Sequence, residues 1–372
     1  MIQTSTFVNL RFACICGPST PQPLNPETAH PLNRPTAQPL NRPTAPPLYP
    51  ENALVLAPLC GYTDYPFRQS CRRYGCRYAF TPLVEAGSLA YANPTGEALL
   101  YRGPDEEWLG VQLLGNRPEL IEAAVRRLND HSFELLDFNL GCPVPKVTKR
   151  GAGVALAHEL ELAVGCVEIL VRHSRFPVTT KTRVLDAVDP APTVRLSQAL
   201  EAAGVQALTL HGRTWRQIYS GPVHSHVVRA VRESVRIPVI ANGGVFDAAG
   251  AEMLRAATGC SRLMIARGAI GNPWIFRETV AGAAPAPPVT QAELTGELET
   301  HVLAMVAHHG EGYGLRLARK IILGYLKGRG FRHSLKDAAA HLADLAEFYR
   351  FMEQLRIEPG LCLQRRGPPP EM

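Results

Sequence analysis

The sequence has no hydrophobic run of membrane-spanning length. Nowhere in its 372 residues does an apolar stretch approach the ~20 residues that a helix needs to cross a bilayer. It also has no Cys-x-x-Cys pair. Its nine cysteines, at 14, 16, 60, 71, 76, 142, 166, 260 and 362, are odd in number and scattered. That spacing argues against a structural zinc site and a disulfide framework, so no metal is expected and a reducing cytoplasm is the simplest compartment. The segment Met1 to Cys16 has neither a basic start nor a small-residue cleavage site, so a signal peptide is not expected. No Gly-x-Gly-x-x-Gly follows the first strand-like run, which disfavours a doubly wound dinucleotide fold. Acid is missing from 315 to 336, where Arg316, Arg319, Lys320, Lys327, Arg329, Arg332 and Lys336 occur. Such a run is most often a solvated helix face, but it also suits a polyanion, and the net charge of +6 permits one.

Proline, by contrast, is abundant at the start. Residues 18 to 50 are Pro-rich, and Pro-Leu-Asn-Arg-Pro-Thr-Ala occurs at 31–37 and again at 39–45. A short polar repeat cannot bury a core, so 1–51 is expected to be a disordered extension. From Asn52 onward, strand-like runs alternate with amphipathic stretches. The expected strands are Ala53–Leu59, Ala79–Glu85, Leu109–Leu114, Leu135–Asn139, Val178–Thr182, Ala207–His211, Val239–Asn242 and Leu263–Ala266. Helices are expected at Pro118–Leu128, Leu160–His173, Ala191–Ala203, Val223–Val235 and Ala248–Ala257. Eight strands with intervening helices predict an α/β TIM (β/α)8 barrel over 52–285. After the Ala/Pro-rich linker 281–288 only helical periodicity remains, which predicts a small all-helical domain over 290–356 and a flexible tail at 357–372.

Cys142 stands out within Asn139-Leu140-Gly141-Cys142-Pro143. The apolar run Leu135-Leu136-Asp137-Phe138 leads into it, and Gly141 and Pro143 end the strand. The thiol is therefore expected on a turn at the strand's C-terminal end, where barrel chemistry collects. Lys146, Lys149 and Arg150 follow and bring positive potential. A lone cysteine is more often a small buried hydrophobe. Its neighbours in the expected barrel decide between these readings.

Each late strand ends in polar residues: Lys181-Thr182-Arg183, His211-Gly212-Arg213-Thr214, Asn242-Gly243-Gly244 and Ala266-Arg267-Gly268. In a barrel these ends share one opening with Gln112 and Asn139. Gly243, Gly244 and Gly268 free backbone amides at the strand-seven and strand-eight ends, the usual phosphate position, and Arg267 adds charge. Lys181 brings a cation to the centre, suited to the electron-rich N1–O2 edge of a reduced flavin. Gln112 and Asn139 can read the amide edge of a flavin or a base. Together with His211, these residues suggest flavin mononucleotide.

With Leu56-Ala57-Pro58-Leu59-Cys60-Gly61-Tyr62-Thr63-Asp64 added to those stretches, the sequence resembles the tRNA-dihydrouridine synthases over about residues 53 to 330. Leu59 stands where Met is usual, and Asn242-Gly243-Gly244 where many members have Asn-Gly-Asp. The resemblance implies NADPH-driven (or NADH-driven), FMN-mediated reduction of a uridine C5=C6 bond in tRNA, with FMN bound non-covalently. It implies that Cys142 is the general acid at C5. Cofactor contacts would come from Pro58, Leu59, Gln112, Lys181, His211, Asn242, Gly243, Gly244, Arg267 and Gly268. Asn139 and Arg213 would orient the base, and Lys146, Arg319 and Lys320 would hold tRNA. A monomer with no obligate protein partner is expected. Two other functions fit parts of the pattern: an FMN barrel oxidoreductase acting on a small molecule, like a dihydroorotate dehydrogenase, and a non-catalytic RNA-binding protein.

Overall fold

Among the residues described by the computed structural model, 48–280 and 284–358, nine strands form one parallel sheet. They are β1 (Leu54–Leu56), β2 (Tyr78–Ala79), β3 (Val84–Glu85), β4 (Gly110–Leu114), β5 (Leu135–Leu140), β6 (Val178–Arg183), β7 (Leu208–His211), β8 (Val239–Asn242) and β9 (Leu263–Ile265). The repeat-bearing residues up to 47, part of the linker (281–283) and the tail from 359 lie outside the described residues.

The second expected strand is divided in two. β2 pairs with β1, and β3 pairs with the far end of β4. Thr81-Pro82 lies between them, and Pro82 has no N–H to give to a ladder. A single bridge, Phe80 to Gly110, spans the break, with the Thr81 N–H donating to Gly110 O at 2.9 Å. It closes the sheet into a barrel of eight positions. Gly110 makes this seam possible, because a Cβ there would lie 2.5 Å from the Phe80 ring.

Side chains alternate between the two faces of a strand, so the barrel has two cores. The interior one contains Val55, Ala57, Phe80, Leu135, Ala207, Ile240 and Met264. At its N-terminal end it is plugged by Tyr49, Tyr78 and Trp108, whose ring centroids lie 5.2–5.6 Å apart. Tyr49 is only 2% exposed, so the end of the segment expected to be disordered belongs to the fold. Toward the C-terminal ends the interior turns polar. Gln112, Asp137 and Thr179 stand in register on β4, β5 and β6, and Asn139, Lys181 and Thr209 stand in register above them.

The outer core lies between the strands and the surrounding helices. Four of those helices begin within two residues of expectation: Pro118–Leu128, Leu160–His173, Ala191–Ala202 and Ser225–Ser234. The fifth, Ala248–Thr258, is N-capped by Asp247 and stopped by the left-handed Gly259.

The helical region expected over 290–356 consists of Gln291–His309, Glu311–Leu326, His333–His341 and Leu345–Ile357. Its apolar residues, including Leu298, Val302, Ile322 and Phe348, join the outer core of the barrel without a break. Helix Tyr65–Arg73 forms much of the joint. The Glu297 carboxylate accepts from Ser70 (2.6 Å), Arg73 (2.7 and 3.0 Å) and Tyr74 (3.3 Å). Asp64, which caps that helix, also meets His309 Nε2 at 2.7 Å. Elsewhere backbone meets backbone. A Cβ on Gly271, whose φ is +61°, would lie 2.1 Å from Gly324 C and Tyr325 N. The buried Arg329 closes this contact by donating to Gly271 O, Tyr325 O and Asn272 Oδ1 at 2.7–3.1 Å.

Candidate active site

The structure gathers most of the expected residues at the C-terminal mouth of the barrel. Asn139 and Lys181 are direct cross-strand partners, as are Arg183 and His211, and His211 and Asn242. Cys142 is half-buried on the turn after β5. Backbone contacts hold the turn on which it sits. Asn139 Oδ1 accepts from the Gly141 and Cys142 amides at 3.1 and 2.9 Å, and Cys142 O accepts from the Val154 amide at 3.1 Å. Gly153, at φ +63°, approaches so closely that a Cβ would lie 2.6 Å from Cys142 O.

Lys181 is half-buried. Burial and the nearby Arg183 charge pull its ammonium down to about 8, against the opposing pull of Asp137. His211 is driven well below the ordinary histidine range by burial, and by Lys181 and the arginines around it, so the ring is neutral near pH 7. Beside it Gly243 and Gly244 have φ +123° and +77°, and a Cβ on Gly243 would lie 3.0 Å from the His211 ring. Only glycine keeps this corner open. Asn242 lies beneath it and donates to Met264 O at 2.8 Å. Pro58 and Leu59 lie half-buried at the end of β1, and Leu59 packs on the interior core.

Other expected residues have different contacts. Gly268 is a packing glycine, since a Cβ there would lie 2.2 Å from Val245 O. Arg267 stacks on Tyr219, 4.4 Å from its centroid, and donates to Tyr219 O at 3.3 Å. Arg213 is buried and its Nε donates to Gly221 O at 2.6 Å. Arg319 is half-buried and donates twice to Leu342 O, at 2.6 and 2.9 Å, which ties two parts of the helical region together. Lys320 reaches back to the barrel, donating to Gly61 O with its ammonium 4.4 Å from the Tyr62 centroid. Lys146 is exposed on the short helix Pro145–Thr148, close to Cys142 in sequence.

Two site residues have roles that the sequence left unassigned. Arg183 is buried and pins the turn of β5 to the loop after β7, donating to Gly141 O (2.8 Å), Thr214 O (3.3 Å) and Ile218 O (3.1 Å). The loop it holds contains Ile218 at φ +53°, a strained conformation for a β-branched residue. The other is Asp137, 1% exposed beneath Lys181. Its one sequence signal is an acid within an otherwise apolar strand.

The corner at Gly243 and Gly244, the cation of Lys181 and the neutral His211 form a cradle that fits a phosphate-bearing, electron-accepting ring system. The dihydrouridine synthase (Dus) family model matches residues 55–358. The tRNA-dihydrouridine synthase B of Pseudomonas aeruginosa is 33% identical over 310 residues, covering 80% of this chain and 93% of that protein. The protein of the same name from Proteus vulgaris is 32% identical over 309 residues, covering 80% and 96%. That of Serratia marcescens is 32% identical over 321 residues, covering 84% and 96%. These matches take in the barrel, its polar mouth and the helices that follow, and the chain belongs to the dihydrouridine synthase family.

Proposed function

We propose that this chain reduces the C5=C6 bond of a uridine in tRNA to 5,6-dihydrouridine, with FMN as its resident cofactor and NADPH as the reductant. One observation carries the reading: a cysteine on a rigidly capped turn, at the mouth of a barrel whose centre holds a cation and a neutral imidazole. Bound in the cradle, FMN would supply the hydride. The residues that would hold it are Gly243 and Gly244 at the phosphate, Lys181 and His211 at the ring system, and Pro58 and Leu59 along one side.

The chain's own groups do the rest. Cys142 Sγ holds the proton destined for C5, and a thiol suits general acid catalysis near neutrality. Asn139 has its Oδ1 committed to the turn and one Nδ2 proton committed to Gln112, which leaves its second Nδ2 proton for a pyrimidine carbonyl. The uracil must leave its stack to reach this depth. Lys146, Lys149 and Arg150, exposed beside the turn, suit the phosphates that flank it.

The test is direct. Unmodified tRNA is incubated with the purified protein, FMN and NADPH, and its nucleosides are analysed by mass spectrometry. Dihydrouridine is expected at a defined site. A colourless protein that fails to take up FMN, or tRNA that stays unreduced, defeats the reading.

A further inference from the structure

A continuous chain of hydrogen bonds runs from the floor of the polar interior to the turn that carries Cys142. Asp137 accepts from Thr179 Oγ1 and from Gln112 Nε2, both at 2.7 Å. Gln112 Oε1 accepts from Asn139 Nδ2 at 2.8 Å. Asn139 Oδ1 then accepts from the backbone amides of Gly141 and Cys142. The three side chains come from two neighbouring strands, and none is more than 8% exposed.

Only one direction of this chain is possible. An ionised carboxylate can only accept, and a backbone N–H can only donate. With an acceptor at one end and donors at the other, each amide between them has a single satisfying orientation. Gln112 must turn its NH2 toward Asp137 and its oxygen toward Asn139. Asn139 must turn its NH2 toward Gln112 and its oxygen toward the turn. Flipping either amide would put donor against donor in a buried site, where an unsatisfied group is costly.

We propose that Asp137 is a positioning residue for the reaction: through Gln112 and Asn139 it fixes the oxygen cap under Cys142 and so the place of the thiol. It touches neither thiol nor substrate. The same orientation makes Asn139 present a donor, not an acceptor, to whatever lies above it, which suits a pyrimidine carbonyl. Only the kinetic part of this inference rests on the proposed function. The geometric part concerns the protein alone.

Hydrogen exchange followed by mass spectrometry tests the geometric part on the purified full chain. Asp137→Val removes the acceptor in nearly the same volume. Exchange in the peptide spanning Asn139 to Lys146 is expected to quicken about tenfold, the worth of one net hydrogen bond, while peptides from the other strands stay unchanged. Asp137→Asn keeps an acceptor for Gln112 and should restore exchange close to wild type. In tRNA reduction the Val variant should lose about tenfold in kcat with KM for tRNA unchanged, and the Asn variant should recover most of it. If the Val variant does not fold, Asp137→Ala replaces it, because alanine too removes the acceptor and puts no donor in its place. Wild-type exchange at the turn in a folded Val or Ala variant overturns the proposal. So does quickened exchange across the whole barrel, which would make Asp137 a general structural residue. A wild-type protein that makes no dihydrouridine defeats the proposed function alone, and the exchange experiment still decides the role of Asp137.

Discussion

Replacing Cys142 by alanine removes the thiol but keeps the backbone hydrogen bonds at the turn. Cys142→Ala is therefore expected to keep FMN and to oxidise NADPH, but to lose ~10²–10⁴-fold in dihydrouridine formation. Nucleoside mass spectrometry beside an NADPH-oxidation assay separates the two. Asp137 behaves differently, because burial pushes its carboxyl up to about 6 against the opposing effects of Gln112, Thr179 and Lys181. A raised acid binds its proton more tightly in the folded chain than in the unfolded one. The ionised group is thus a cost to folding above pH 6, relieved as pH falls from about 6 toward the ordinary carboxylate value. Asp137→Asn is expected to stabilise the protein at pH 8 by up to about 3 kcal/mol, a gain that shrinks on acidification. Urea melts at pH 8 and pH 5 read this out, and equal gains at both would contradict it. The placement of Lys181, His211 and Asn242 at the barrel mouth was legible in the sequence because each lies at or near the C-terminal end of its strand, and strand ends converge in a barrel. Asp137 was not, since a lone acid in an apolar run announces burial without naming its partners. Nor does a basic run reveal that Arg319 will meet the Leu342 carbonyl.

Glycines decide how the elements fit together. Gly271→Ala would press a methyl into the backbone at Gly324 and Tyr325 and strain a positive φ. A loss of ~3–5 kcal/mol is expected, seen as a lower midpoint in denaturant. Gly296→Ala is the control: it lies in the helix Gln291–His309, and a Cβ there would meet nothing within 4 Å among the described residues. It should leave stability unchanged or raise it by up to about 1 kcal/mol. All eight expected strand positions appear in the barrel, because a parallel sheet covered on both faces writes its strands as short apolar runs. Pro82 accounts for the break in the second strand, but its repair depends on Phe80 pairing with Gly110 at the seam of the barrel. That contact is long-range and leaves no local pattern. Tyr49 was misplaced for a related reason. Apart from Leu48 its neighbours are prolines and polar residues, and only the finished barrel offers the cavity floor that buries it.

On the scale of the whole molecule, the cations divide into structural and exposed groups. Arg319 and Arg329 bind carbonyls within the fold, whereas Lys146 and Lys149 are exposed beside the mouth. Lys146→Ala with Lys149→Ala is expected to weaken tRNA binding and to flatten the dependence of log affinity on log salt by about two units of slope. Arg319→Ala should lower the melting temperature and leave that slope unchanged. Binding titrations at several salt concentrations distinguish these effects, and an unchanged slope in the double variant would move the RNA contact elsewhere. Gly271 lies against Gly324 at backbone distance, so barrel and helices are close-packed where they meet. If that seam stays shut when tRNA binds, the work of deformation would fall on the guest, and the loop whose nucleotide swings free at least cost would be the one that fits.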